Sequence, residues 1–516
     1  MKTGPRPSNT GSGRNQGALS CLCLLFALLA PAGCSAPPDG ETIRFGLPLP
    51  PTTLDPRQAS DAISYRICRL LYRSLVDFDE TYRVVPALAD WRRLGPRHYR
   101  FALRQGEGRR FHDGTRLVAG DVKATYDSIR ERRGRSPLAG TLSAIERIEA
   151  PDADRIDFFL SREEPFFPGL LTVGILPRAL LADDHPFHER PVGSGPLRFV
   201  ARTEEGGVSL LRVADGQRIE LVPVREPVVR ALKLARRELD LLQGNMPYSL
   251  RPWLQRQQDL HSESAPGNVF TYLGFNLEDP VAGAARIRQA IAHAIDRDAI
   301  VRHLMHGEAR KASTAMPADH WLAHPLLPEY RYDPERARRL VREAGYSAAR
   351  PPKLVYKTSS DPFRIRLATA IQHQLAQVGI EVRILPHDWG SFYGDITAGR
   401  FQLYSLSWVG LKMPDFYRYA FHSDSMPPAG ANRGRLNDPR VDALIEQAER
   451  SQRAAEQLPL YRRLQERLHE RLPYVPLWYE SHILVRRSEI AGYRLDRDGS
   501  YDGLASVRRE PRADRR

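Results

Sequence analysis

The side chains best suited to chemistry in this chain are ones that grip a solute rather than cut one. Trp408 offers a broad ring for stacking, and Gly410, two residues on, leaves backbone groups open to a partner. Packing in a core is the plainer alternative for Trp408. Arg364 closes the run Thr358-Ser359-Ser360-Asp361-Pro362-Phe363-Arg364. Its planar guanidinium fits a carboxylate through two parallel hydrogen bonds, or else stands solvated at the surface. Trp389, Phe392 and Tyr393 follow His387-Asp388 and either line a cleft or fill a core. Asn276 presents its amide to a ligand or caps a loop.

Signatures of catalysis are missing from the same sequence. No His-Glu-x-x-His zinc motif, Gly-x-Ser-x-Gly elbow or phosphate-binding glycine loop occurs. Asp388 and Asp415 are the acids a hydrolase would have to pair, and their spacing specifies nothing. The 15 histidines form no ligand cluster. Beyond Cys21, Cys23 and Cys34 only Cys68 remains, so neither a zinc site nor an internal disulfide is expected. No catalytic residue, metal or cofactor is assigned.

Secondary structure has to position these residues, and its pattern is readable. Tyr99, Phe101 and Leu103 alternate with Arg100, Ala102 and Arg104, the period of a half-buried strand. Asp113-Gly114 marks a turn, and Gly120-Asp121 offers an N-cap to a helix with Val122, Tyr126 and Ile129 on one face. Ile287, Ile291, Ala294 and Ile295 recur at helical spacing, and Asp333-Pro334 opens a helix that Gly345 closes. From Leu354 the order is strand, helix, strand over 354–356, 365–378 and 381–385, which favours an α/β lobe with a mixed or parallel sheet. Helices over 441–448 and 460–472 and a strand over 474–478 follow.

A chain of 516 residues exceeds what one core supports, so two or three domains are expected. A hydrophobic fraction of 42% and a charged fraction of 27% exclude a disordered or fibrous class. The net charge of +14 raises the question of nucleic acid. Basic pairs such as Arg109-Arg110 lie mostly beside acids, with no helix-turn-helix, zinc-finger or RNA-binding signature, so no nucleic-acid partner is expected. Lys2, Arg6 and Arg14 precede the apolar run Leu19 to Ala30, which is too short to span a bilayer and suits a secretory signal. The run from Arg508 to Arg516 reads as a disordered basic tail.

Pro86, Trp91, Tyr99, Phe101, Leu103, Arg104, Gly106, Phe111, Asp113, Gly114, Thr115, Asp121 and Val122 stand in the order and spacing of a segment of solute-binding protein family 5. These are the dipeptide, oligopeptide and nickel receptors of ABC importers, and the chain resembles them over nearly all of its mature length. Thr53-Leu54-Asp55-Pro56, Val192-Gly193-Ser194-Gly195-Pro196 and Tyr272 to Leu277 follow in the family's order, with Leu197 where an aromatic residue is common. The resemblance implies an α/β, two-lobed periplasmic-binding-protein fold of type II-like form, with three domains and a hinged central cleft. Domain I would combine 40–57, 191–267 and 482–501, domain II would be the insertion 58–190, and domain III would be 268–481. A signal peptide over 1–34 and a basic tail over 502–516 would flank them.

The same resemblance places the segment from Tyr404 to Leu411 in the cleft. Peptide-binding relatives carry there an aspartate that pairs with a peptide's α-ammonium group; this chain has Leu411. A leucine cannot offset the desolvation of an ammonium ion. Either Asp415 or Asp388 takes the amine or the ligand lacks one, and the second reading is preferred. The implied ligand-binding residues are Trp408, Gly410, Leu411, Tyr404, Asn276, Trp389 and Arg364. Small residues before Cys34 resemble a lipobox, with Pro31 at a usually aliphatic place. Cys34 is thus the expected lipidation site, tethering the protein at the periplasmic side of the envelope; soluble release after cleavage near Ala32 or Ala36 is the alternative. The implied function is that of a monomeric, extracytoplasmic substrate-binding protein. It would capture a peptide or peptide-like solute by lobe closure and hand it to ABC permease subunits in the inner membrane. A receptor for a sugar or blocked peptide, a sensing lipoprotein and a hydrolase are the alternatives.

Overall fold

A computed structural model describes residues 42–106, 108–131, 136–451 and 453–510. The expected signal peptide and Cys34 lie outside those residues. No helix among the described residues is long and apolar enough to cross a membrane.

Alternation of apolar residues builds an eleven-stranded main sheet. Its strand order is Glu381–His387, Lys353–Ser359, Leu403–Trp408, Leu260–Phe275, Tyr474–Arg487, Leu241–Gln243, Ile43–Leu47, Arg218–Pro223, Val208–Arg212 and Leu197–Arg202, with Ala309–Lys311 paired beside Tyr474–Arg487. The two long strands, of 16 and 14 residues, are antiparallel to each other and run through the middle, so each belongs to both halves of the sheet. In the first half Ile43, Phe45 and Leu47 are wholly buried and the strand is flanked in parallel by Arg218–Pro223 and Leu241–Gln243. In the second half Lys353–Ser359 runs parallel to both Glu381–His387 and Leu403–Trp408. The intervening helices Pro362–Ala376 and Trp389–Thr397 are the crossovers that parallel pairing requires.

A separate antiparallel sheet, ordered Ala89–Gly95, His98–Leu103, Arg155–Leu160 and Ile145–Glu149, lies against helix Ala119–Glu131. Its core holds Tyr99, Phe101, Leu103, Val122, Tyr126 and Ile129, the residues whose period marked a strand and a helix. The loop Val192 to Pro196 packs on the end of helix Ala62–Leu71. A Cβ at Gly193 would lie 2.0 Å from the Leu71 carbonyl oxygen and one at Gly195 would lie 2.2 Å from that of Leu70, so only glycine permits the approach.

Some boundaries differ from the sequence reading. Helix Ala119–Glu131 starts before Asp121, whose carboxylate accepts from the backbone amides of Val118 at 2.8 Å and Arg178 at 2.9 Å, tying two segments together. The strand expected over 474–478 extends to Arg487, because its apolar run continues against Leu260–Phe275. The tail expected from 502 is packed as far as 510. Leu504 and Val507 are wholly buried, Arg508–Arg509 pairs with Ile490–Ala491, and Arg509 meets Asp240 at 2.9 Å. Ion pairing and two apolar anchors thus order a stretch whose composition is basic.

Candidate ligand-binding site

Parallel strands bring their carboxyl ends to one edge, and ligands of open α/β sheets bind outside that edge. Here Lys353–Ser359, Glu381–His387 and Leu403–Trp408 all end there. The antiparallel partners contribute Val269, Phe270 and Thr271 by register, with Phe270 opposite Trp408, Thr271 opposite Ser407 and Val269 opposite Glu480. Arg364 joins from the first turn of the helix after Lys353–Ser359, which Asp361 caps through the Arg364 amide.

One sheet face carries a polar network. The Thr271 hydroxyl donates to Glu480 Oε1 at 2.8 Å and lies 2.7 Å from the Ser407 hydroxyl. Arg364 Nη2 donates to Glu480 Oε1 and to Ser407 Oγ, each at 3.2 Å. Arg364 and Glu480 are only 25% and 20% exposed, so their attraction is less screened than that of a surface pair. Arg364 Nη1 has no hydrogen-bond partner among the described residues.

The opposite face carries aromatics. The Trp408 ring lies 5.1 Å from Phe416 and 6.1 Å from Tyr419, both edge-on, and 6.5 Å from Tyr272, stacked. Its Nε1 has no partner among the described residues. Arg433 stands over this ring, 4.8 Å from its centre. Trp389 and Tyr393 stack at 5.7 Å on the first helix turns after Glu381–His387, and Trp389 is 60% exposed, whereas Phe392 between them is core.

The segment after Trp408 turns on Gly410, whose φ of 72° and open surroundings suit a residue without a Cβ. Leu411 then enters the apolar cluster of Phe416, Tyr417 and Phe421, and its carbonyl accepts from Asn268 Nδ2 at 3.4 Å. Lys412 reaches Asp498 at 2.6 Å, and its carbonyl lies 3.2 Å from His320 Nε2. Burial works to raise the Asp498 carboxyl, but the Lys412 ammonium, assisted by Arg69, holds it far below the carboxylate range.

The structure therefore gathers Trp408, Gly410, Trp389 and Arg364 at one sheet edge and leaves three expected contacts out. Leu411 is buried in core, so its side chain offers no face to a solute. Tyr404 is wholly buried near the start of its strand, in the space that Gly274 leaves. Asn276 lies at the same far end and donates to the Gly399 and Phe401 carbonyls at 3.2 and 3.1 Å. It caps a loop. The acids expected in place of an aspartate at 411 differ in their surroundings. Asp388 accepts from the Ser391 amide at 3.0 Å and is held below its ordinary range by the Ser391 hydroxyl and amide. Asp415 is exposed at the start of helix Asp415–Phe421, whose next residues Phe416 and Tyr417 are buried. The acid at the edge is Glu480, which the sequence marked only as a lone carboxylate in the apolar run Tyr474 to Val485. No group of three or more potential metal ligands occurs among the described residues.

A cavity of about 360 Å³ lies elsewhere, beside helix Ala62–Leu71. Of its lining arginines, Arg69 is held by Asp77 and Asp502 and Arg73 donates through Nε to the Ser194 carbonyl at 3.2 Å, while the Tyr72 hydroxyl donates to the Leu54 carbonyl.

The family model described as bacterial extracellular solute-binding proteins, family 5 Middle, matches residues 83–427. The chain belongs to this family. It is a solute-binding protein, not an enzyme. Among relatives of family 5, the glutathione-binding protein GsiB of Pectobacterium atrosepticum is 25% identical over 463 residues, covering 86% of this chain and 89% of the relative. The di/tripeptide-binding protein 2 of Pseudomonas aeruginosa is 25% identical over 520 residues, covering 93% and 97%. The periplasmic binding protein DppA of Helicobacter pylori, solved with the peptide STSA, superposes with a TM-score of 0.74 at 25% identity, covering 91% of this chain and 98% of that one. The substrate-binding protein CtaP of Listeria monocytogenes reaches a TM-score of 0.82 at 22% identity, covering 91% and 99%, and shares the two-lobed α/β fold of the family.

Proposed function

We propose that this family 5 protein is the extracytoplasmic receptor of an ABC importer for a peptide or peptide-like solute, tethered through a lipid on Cys34. The observation that carries the reading is the meeting, at one sheet edge, of a stacking ring, Trp408, with the Arg364–Glu480 pair. Relatives named for glutathione and for di- and tripeptides support the solute class. Two lobes built from 40–57, 191–267 and 482–501 on one side and 268–481 on the other, with 58–190 as the third domain, would close on the solute. The permease would read closure, which only a ligand with higher affinity for the closed state can drive.

A second reading, a solute without a free amine, is favoured by Leu411. Its side chain is core, and Asp388 is engaged by the Ser391 amide. Native mass spectrometry of the purified mature protein, followed by denaturation, tests both readings. A released peptide with a free amino terminus supports the first and removes the second, and a blocked peptide or sugar does the reverse. Solute uptake unchanged in a deletion strain would remove the importer role.

A further inference from the structure

Eight arginines are buried among the described residues, and one of them is unlike the rest. Arg57, Arg109, Arg212, Arg297 and Arg487 each meet a carboxylate. Arg230 and Arg288 are held by backbone carbonyls. Arg433, 8% exposed, has neither. Its Nη1 donates to the Tyr272 hydroxyl at 3.4 Å and its Nη2 to the Tyr393 hydroxyl at 3.1 Å. Its Nε has no partner among the described residues, and its two hydrogen bonds go to hydroxyls rather than to a carboxylate. The guanidinium is otherwise walled by rings, 4.8 Å from the centre of Trp408 and 5.4 Å from that of Tyr393.

A buried cation without a counter-charge is unfavourable, and cation–π contacts offset only part of that cost. The rings that wall Arg433 reach solvent. Trp389 stacks on Tyr393 and is 60% exposed, Tyr419 packs edge-on to Trp408 and is 49% exposed, and Val409 is 59% exposed. An exposed patch of this kind marks a binding surface, and its floor is an arginine with a spare donor. Trp408 Nε1, unpartnered beside it, is a second donor. Both groups call for an acceptor, and a planar anion fits the guanidinium fork and the ring faces together.

We infer that Arg433 recognises a carboxylate of the solute, entering between Trp408 and Tyr393, and that this receptor is therefore selective for acidic, carboxylate-bearing peptide-like ligands. The inference rests on the peptide-like reading above. It places Arg364 and Arg433 on opposite sheet faces, Arg364 paired through one nitrogen with Glu480 and Arg433 bonded to two hydroxyls and no carboxylate.

Intrinsic tryptophan fluorescence of the purified protein, which includes Trp408 and Trp389 among its six tryptophans, reports binding of dipeptides, N-acetylated and with a free amino terminus, each supplied as the free C-terminal acid and as the C-terminal amide. The wild-type protein is expected to bind acids roughly 10- to 100-fold tighter than their amides, the range of a charge-assisted hydrogen bond. R433M is expected to lose that preference, binding acids no tighter than amides. R433K, which keeps the charge without the planar fork, should weaken acid binding about tenfold and serves as the test if R433M does not fold by circular dichroism. An unchanged acid preference in both variants, or acids bound no tighter than amides by the wild type, overturns the role of Arg433 alone. Failure of the wild type to bind either form overturns the peptide-like reading and the inference with it.

Discussion

Individual side chains divide here into those that hold the fold and those open to a partner, and hydrogen-bond bookkeeping separates them. Asn276 uses its amide fully within the protein, donating to two carbonyls and accepting from the Glu278 amide at 3.1 Å. Asn276→Ala is expected to destabilise the protein by roughly 1–3 kcal/mol, read by urea denaturation, with ligand affinity unchanged. Arg364 has the opposite profile, with one nitrogen paired to Glu480 and another unpartnered. Arg364→Met should weaken ligand binding about tenfold while costing only about 1 kcal/mol of stability, because the pair is partly solvated. Affinity by calorimetry and stability by denaturation should therefore respond in opposite proportion in the two variants.

Elements are joined at a few tight seams. The approach of Val192–Pro196 to helix Ala62–Leu71 leaves no space for a methyl group at Gly195, whose amide donates to the Leu71 carbonyl at 2.9 Å. Gly195→Ala should cost about 1–3 kcal/mol or more, measured as a lowered denaturation midpoint with an unchanged slope. A second seam turns on His320, 3% exposed and stacked on Tyr82 at 5.2 Å. Its Nδ1 accepts from the Leu322 amide at 3.0 Å, and its Nε2 faces the Lys412 carbonyl, so the ring is neutral. Burial pushes its pKa down to about 4. The folded state disfavours the proton, so this stability is complete above the unfolded pKa near 6.5 and is lost as pH falls from there toward 4. Between pH 7 and pH 5 the loss should be roughly 2 kcal/mol. His320→Gln should remove that share of the pH dependence, visible as the difference between the two proteins' denaturation curves at each pH.

At the scale of the molecule, the segment 411–413 and the turn at 496–498 are joined by an ion pair. Lys412 and Asp498 are 13% and 15% exposed, and Arg497 pairs with Asp319 beside them. If the proposed lobes open and close, this pair belongs to the closed form. Asp498→Asn should then shift the ligand-free population toward the open form and weaken binding by the fraction lost. Small-angle scattering of the wild type should give a radius of gyration of about 23 Å. A larger radius for the variant that returns to the wild-type value on adding ligand is the expected result, and identical radii throughout would sink the closing role.

Much of the architecture was legible from neighbouring residues. The alternation at Tyr99 to Leu103, the cap at Asp333 and the strand–helix–strand order after Leu354 all appear in the structure, because periodicity and capping depend on residues a few places apart. Trp408, Gly410, Trp389 and Arg364 were also within reach, since each lies just beyond or at the end of a strand that ends at the same edge. What the sequence could not show is which distant residue completes each contact. Glu480 meets Thr271 across 209 positions and Arg364 across 116. Leu411 and Tyr404 were indistinguishable by type and spacing from residues facing a cleft. The sequence by itself determined the family and the α/β alternation, and it named four of the residues that stand at one sheet edge. Only the tertiary structure decided which of them face outward and which cation lacks a partner, because burial and charge compensation are set by strand register and by segments that meet only after the chain has folded.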